Sequence, residues 1–322
     1  MSYRSRIGRL VRTLTRVAAI GAAGALMLAG IAAQPAAAGG GGGHGGGHDG
    51  KHRVAPKTLV YVEVNNYDFR NVADYTLKGT NEPAFDLAMI FAANINYDTA
   101  KEKAYLHLNE RVTETLENAR TQIRPVQARG TKVLLSILGN HQGAGFANFP
   151  SYRAADAFAK ELAAAVKKYR LDGIDLDDEW SQYGANGTGA PNDFSFVYLI
   201  KALRHRLGPD KLITFYNIGP SGERTVYHGF KAGWLIDYAY NPYYGSWQPP
   251  QIPGLRQHQL GAAAVDLTRT DNAPAVERAQ RTVREERFGV YVTYNLTDQD
   301  HSAYLSGITQ QLKGKGTVYR GR

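Results

Sequence analysis

The chain has 322 residues, 43% of them hydrophobic and 21% charged, a globular composition long enough for one large barrel or two average domains. Its net charge of +9 owes five units to arginines within the first 16 residues, so the basicity makes no case for nucleic-acid binding. Cysteine is absent, which excludes a disulfide scaffold and a thiol nucleophile and leaves core packing alone to hold the fold.

The chain opens on MSYRSRIGRLVRTLTR, runs through the apolar VAAIGAAGALMLAGIAA, and reaches QPAAA. A basic segment, an apolar segment and a small-residue A-x-A site together predict a secretory signal peptide over 1–38, cleaved after Ala38. Cleavage would lower the formal charge to +4 and release the protein from the cell, with no membrane association afterwards. The alternative, an uncleaved membrane anchor, is disfavoured by the many Ala and Gly residues and by the cleavage site. Residues 39–57 are too rich in glycine to build a core and read as a flexible linker. His44, His48 and His52 within it have no carboxylate or cysteine to complete a metal site. The catalytic domain is expected over 58–322.

Within that domain, short β-branched and apolar runs predict strands at 59–66, 85–98, 132–140, 171–179, 211–219, 235–247, 261–268 and 288–296. Helical periodicity marks Val112–Val126, Phe194–Leu207 and Val276–Arg284, and places Phe158, Leu162, Val166 and Tyr169 on one helix face. Eight strands alternating with helices predict an α/β fold, a single (β/α)8 TIM barrel, irregular because stretches such as 248–260 are too short or proline-rich for a full helix. A doubly wound open sheet is the alternative, but no glycine-rich phosphate loop follows the first strand.

The segment LDGIDLDDEW, residues 171–180, carries five carboxylates in an otherwise buried-looking strand. Side chains alternate along a strand, so Asp175, Asp177 and Glu179 share the face opposite Ile174 and Leu176. With the apolar face against helices, the acids form a ladder inside the barrel rising to the C-terminal mouth, where barrel enzymes work. Carboxylates this close cannot all ionise, which predicts a proton shared between Asp175 and Asp177 and a protonated Glu179 able to act as general acid. A calcium site and a purely structural acidic network are the competing readings; one-face spacing suits convergence on a substrate better than wrapping an ion.

The run D-G-I-D-L-D-D-E, Asp172 to Glu179, resembles the D-G-x-D-x-D-x-E signature of glycoside hydrolase family eighteen, the chitinases and endo-β-N-acetylglucosaminidases. YVEVNN, FAANINYD, LLSILGNHQGAGFANFP, YNIGP, YNPYYGSW and GVYVTYNL further resemble the strands and strand-end loops of its endoglycosidase H-like members, over roughly residues 58–310. The resemblance implies a secreted hydrolase that cuts between the two core N-acetylglucosamines of N-glycans on glycoproteins or free oligosaccharides, by a retaining, substrate-assisted mechanism. It implies Glu179 as general acid, Asp177 as the group that orients the substrate's acetamido arm, and Asp175 as its support from below. A strand-end tyrosine, Tyr216 or Tyr240, would hydrogen-bond the acetamido oxygen. No cofactor or metal is expected, nor nucleic acid, and the chain is expected to be a monomer.

Strand-end side chains suit a neutral sugar: the rings of Phe91, Trp180, Tyr243, Trp247 and Tyr294 match pyranose C–H faces. The amides of Asn65, Asn94, Asn140, Gln142, Asn217 and Asn241 supply uncharged donors and acceptors. Trp180 departs from the tyrosine common after the acid in endoglycosidase H-like proteins. Thr268 to Phe288 is too short for the domain that many chitinases insert there, which favours the glycan core over chitin; a glycan-binding lectin on the same barrel is disfavoured by Glu179 itself.

Overall fold

The computed structural model describes residues 55–284 and 287–321. The signal peptide, the three linker histidines and most of the linker lie outside the described residues. The barrel strands are β1 (Lys57–Glu63), β2 (Leu87–Asp98), β3 (Lys132–Gly139), β4 (Gly173–Asp177), β5 (Leu212–Tyr216), β6 (Tyr238–Tyr240), β7 (Leu260–Gly261 continued by Ala263–Asp266) and β8 (Val290–Tyr294). Each pairs in parallel with the next, and β8 returns to β1 with Val290 opposite Lys57. The circle closes through β7, whose first half pairs with β6 and whose second half pairs with β8. This is the irregular (β/α)8 barrel that the strand–helix alternation predicts.

Among the described residues, five helices are longer than two turns: α1 (Glu110–Glu117), α2 (Tyr152–Tyr169), α3 (Ser195–Leu207), α4 (Asn272–Arg284) and α5 (Ser302–Lys313). In α2, Ser151 caps the N-terminus by accepting from the Ala154 N–H, and Phe158, Leu162, Val166 and Tyr169 are buried as their spacing requires. The single helix expected over 112–126 is instead α1 followed by two short helices, Ala119–Gln122 and Arg124–Ala128. Pro125 is the physical reason for the second break, because it has no N–H to continue the ladder and its ring crowds the preceding turn; the first falls at Asn118, whose ψ of 27° leaves the helix. No full helix links β1 to β2, β5 to β6 or β6 to β7; in the last, Pro249, Pro250 and Pro253 leave room only for a 3-10 turn at Gln257–Gln259.

Alternation along the strands divides the core in two. Val60, Val62, Ile90, Val133 and Ile174 face outward against the helices. Leu59, Tyr61, Met89, Leu134, Tyr216, Tyr240 and Val292 fill the barrel axis. The segment expected as strand 171–179 is regular only over Gly173–Asp177, so Asp178 and Glu179 stand where the chain leaves the sheet.

Candidate active site

Asp175 is the lowest acid and is fully buried. Register explains its partners: Ser136 on β3 and Thr214 on β5 lie directly opposite it. Its Oδ2 accepts from Tyr61 (2.9 Å) and Ser136 (2.7 Å), and its Oδ1 from Thr214 (2.6 Å) and Tyr240 (2.7 Å). Burial pushes its pKa up, while these four hydroxyl bonds oppose that by favouring the carboxylate.

One layer higher, Asp177 is also buried, opposite Tyr216 in register. It accepts from the backbone N–H of Glu179 at 3.1 Å. Its pKa is raised well above the ordinary range, first by burial and then by the charges of Glu179 and Asp175. The proton expected to be shared between Asp175 and Asp177 therefore belongs with Asp177: four donors already occupy the oxygens of Asp175. Glu179 is half-buried at the rim, and burial raises its pKa too. Each of the two therefore keeps its protonated form more readily than an ordinary carboxyl does. Among the described residues no ion pair reaches any of these acids, and no three His, Asp or Glu side chains are grouped to hold a metal.

Tyrosines wall the space above Asp177. The hydroxyl of Tyr216 donates to the Pro242 carbonyl (2.7 Å) and its ring centroid lies 6.3 Å from that of Tyr244, while Tyr244 stacks on Tyr294 with centroids 4.8 Å apart. Phe91 meets Tyr61 and Tyr294 edge-on. Of the two tyrosines left open by the sequence, Tyr240 sends its hydroxyl down to Asp175 and Tyr216 stays level with Asp177; the two are register partners.

The structure sorts the amides expected at the mouth. Asn65 is exposed in the turn after β1, and Asn217 is half-buried after β5. Asn94 donates to the carbonyls of Leu138 and Gly139, Asn140 donates to Asn96, and Gln142 accepts from the Tyr97 N–H, so these three tie β2 to the loop after β3. Asn241 is fully buried with both ends of its amide bonded within the protein, to Ser246 and Ala262 and from the Tyr243 N–H. It shapes the loop and does not face a ligand. Trp247 is a second correction. Ser246–Trp247 turns back antiparallel to β7, and the indole packs against Phe288 beneath the Arg281 guanidinium, outside the barrel rather than at its mouth. Tyr243 and Trp180 are half exposed or more, at 50% and 58%.

Several site residues escaped sequence reasoning. Tyr61, Ser136 and Thr214 carry the signal of polar side chains at inward positions on neighbouring strands, readable only once register is known. Asp178 points the other way from the ladder, is buried, and accepts from Ser181 Oγ (3.0 Å), Tyr183 Oη (2.5 Å), the Ser221 N–H (2.9 Å) and the Phe146 N–H (3.4 Å). It thereby joins the loops after β3, β4 and β5 around Glu179. Gly139 is required here: a Cβ on it would sit 2.2 Å from the Glu179 carbonyl oxygen.

The sequence profile of "Glycosyl hydrolases family 18" matches residues 57–232. The chain is 51% identical over 273 residues to an "Endo-beta-N-acetylglucosaminidase" of Flavobacterium sp. (strain SK1022), covering 84% of this chain and 85% of that protein. It is 33% identical to "Endo-beta-N-acetylglucosaminidase F1" of Elizabethkingia meningoseptica, over 82% of this chain and 80% of that one. Among solved structures, EndoBT-3987 of Bacteroides thetaiotamicron with a Man9GlcNAc2Asn substrate superimposes with a TM-score of 0.72 at 25% identity, over 85% of this chain and 68% of that chain. The same protein with a Man5GlcNAc product gives 0.71 at 26% identity, and there this chain spans 64% of the other's length.

Proposed function

The chain belongs to glycosyl hydrolases family 18, and from that premise we propose that it is an endo-β-N-acetylglucosaminidase cutting between the two core N-acetylglucosamines of N-glycans. The observation that carries the reading is the pairing of a rim acid, Glu179, with a buried, raised-pKa Asp177 above a fully bonded Asp175. Relatives named for that activity share up to 51% of the sequence across most of both chains.

The geometry supports a substrate-assisted reaction. Asp177 is buried beneath the mouth and favours its protonated form, a poor position and state for a nucleophile. The acetamido carbonyl oxygen of the sugar bound over the axis attacks its own anomeric carbon as the glycosidic bond breaks. Glu179 gives its proton to the departing oxygen. The ring intermediate carries positive charge on its nitrogen, which Asp177 faces from below, while Tyr216, level with Asp177, walls the acetamido arm and Tyr240, bonded to Asp175 beneath, does not reach it. Glu179, now a carboxylate, takes a proton from the water that opens the intermediate at the same face, so configuration is retained. No second carboxylate is needed at attacking distance, as in the substrate-assisted exception to the two-carboxylate rule. Release from the cell through the 1–38 leader belongs to the same proposal.

The connection from β7 to β8 holds one helix, α4, and no inserted domain, which favours a compact branched glycan over a long chitin strand. The test is incubation of the purified chain with a high-mannose glycoprotein and, in parallel, with chitin oligomers. A protein left with one N-acetylglucosamine, produced by wild type and not by Glu179→Gln, is the expected result. Cleavage of chitin oligomers alone would replace this reading with a chitinase.

A further inference from the structure

Trp180 is the most exposed large apolar side chain of the described residues, and it directly follows the rim acid. It sits at φ +60°, a left-handed conformation that a bulky aromatic adopts only where its surroundings hold it there. The restraint is visible. His141, itself at φ +55°, donates its backbone N–H to the Trp180 carbonyl at 2.6 Å, and Gly143 donates to Ser181 at 2.9 Å. The two rings then lie 5.4 Å apart with a 48° tilt. Asp178 fixes the same loop from beneath through Ser181 and Tyr183. So two loops are cross-bonded to hold an aromatic surface in the open. Packing does not explain it, since most of the indole touches solvent.

The position of this surface relative to Glu179 says what it meets. The tyrosines that wall the space above Asp177, and so the sugar whose acetamido arm reacts, belong to the cluster that fills the barrel axis. Trp180 and His141 line a separate cleft of about 430 Å³ with Asp178, Ser181, Gln182, Tyr183 and Pro220, on the face of the turn after β4 to which Asp178 points. The bond being broken lies at Glu179, because that group must protonate its oxygen. What departs continues outward into that cleft. Resting on the function proposed above, we propose that the Trp180–His141 platform binds the leaving half of the substrate, the N-acetylglucosamine still attached to asparagine, by stacking on its pyranose face. Gln182 supplies a neutral amide at the cleft edge for its hydroxyls.

The test separates the two halves of the substrate. One substrate is a Man9GlcNAc2-asparagine glycopeptide, which carries the leaving sugar. The other is the Man9GlcNAc 1,2-oxazoline, which enters after bond cleavage and has no leaving sugar. The readout is the ratio of kcat/KM on the glycopeptide to kcat/KM on the oxazoline. Trp180→Ala is expected to lower this ratio roughly three- to tenfold, the span of one aromatic contact, with the change appearing in the glycopeptide KM. Trp180→Phe, which keeps a flat ring, is expected to recover more than half of the loss. A ratio within twofold of wild type for Trp180→Ala, or a loss that falls equally on both substrates, would overturn the platform. A wild-type chain inert toward both substrates would overturn the enzyme reading itself, and this proposal with it.

Discussion

The floor and the mouth of this barrel treat their acids in opposite ways. Asp175 sits in the floor with two hydroxyl donors on each oxygen, every one set by strand register or by a tyrosine reaching along the axis. Burial raises the pKa values of Asp175, Asp177 and Glu179 alike, but four hydroxyl bonds oppose it at Asp175. Asp177, one layer higher, accepts only the Glu179 backbone N–H and is pushed well above the ordinary range, with Glu179 half-buried at the rim. Asp178, on the outer side of the same turn, is bonded as densely as Asp175 and joins three loops. A buried carboxylate whose oxygens are filled serves as scaffold. One that is buried and left holding a proton has chemistry available to it. The contrast divides the ladder into a fixed base and a reactive top.

The largest effect expected from that division is at the top. Glu179→Gln removes the only proton aimed at the departing oxygen and should lower kcat on a high-mannose glycoprotein by about 10³-fold or more. Glycan binding should persist, since neither the aromatic walls nor Asp178 is altered. Residual turnover within tenfold of wild type would take the acid role from Glu179. The pH profile carries the same assignment. Glu179 must be protonated to act and its pKa is raised by burial, so activity should fall with rising pH at a higher pH than an ordinary glutamate would impose.

Asp177→Asn should be next, slowing hydrolysis of the glycan by about 10²-fold while leaving a preformed oxazoline acceptable, because activation of the acetamido group is then complete. It should also stabilise the fold. The pKa of Asp177 is raised in the folded state, so its ionisation opposes folding above that pKa and is immaterial below the unfolded value. The Tm of Asp177→Asn should therefore match wild type near pH 3 and exceed it near pH 7, by about 2–4 °C for each kcal/mol released. A Tm gain at acid pH only would contradict the sign.

The hydroxyl bonds of the two axis tyrosines predict smaller, structural losses. Tyr240→Phe removes a donor from a charged carboxylate and should cost roughly 1.5–3 kcal/mol of unfolding free energy. Tyr216→Phe removes one to a neutral carbonyl, that of Pro242, and should cost about 1 kcal/mol. Denaturant unfolding of both variants measures the difference. Equal losses would mean that Asp175 is not held as a carboxylate, and the distinction between base and top would fail.

These expectations rest on features that were unevenly legible in the chain. The ladder was readable because alternation is local: once 173–177 is a strand, Asp175 and Asp177 must share a face. Eight strands were readable for the same reason. The hydroxyls on Asp175 were not, because Ser136 and Thr214 reach it through register between strands 39 residues apart, which no local pattern encodes. Asp178 was assigned no role, although alternation already turned it outward; its partners come from three separate loops. Pro125 cut the last turn from a helix whose apolar spacing was continuous, a case of one missing N–H outweighing periodicity.

Trp247 shows where local reasoning misleads, and it yields the smallest predicted effect. An aromatic seven residues past the end of β6 reads as a rim residue if the strand is continued. Instead the buried Asn241 amide accepts from the Tyr243 N–H and donates to Ser246, folding the chain over so that Ser246–Trp247 pairs antiparallel with β7. The indole then faces α4, between Phe288 and the Arg281 guanidinium. Trp247→Phe keeps a ring in that slot and removes an indole N–H that is buried without a hydrogen-bond partner, so stability should change by about 1 kcal/mol or less. The kcat and KM on a high-mannose glycopeptide should stay within twofold of wild type, in contrast to Trp180→Ala. If Trp247→Phe raised KM as Trp180→Ala does, the mouth would have to extend around the outside of β7, and the separation between the aromatic rim and the packed outer face would be lost.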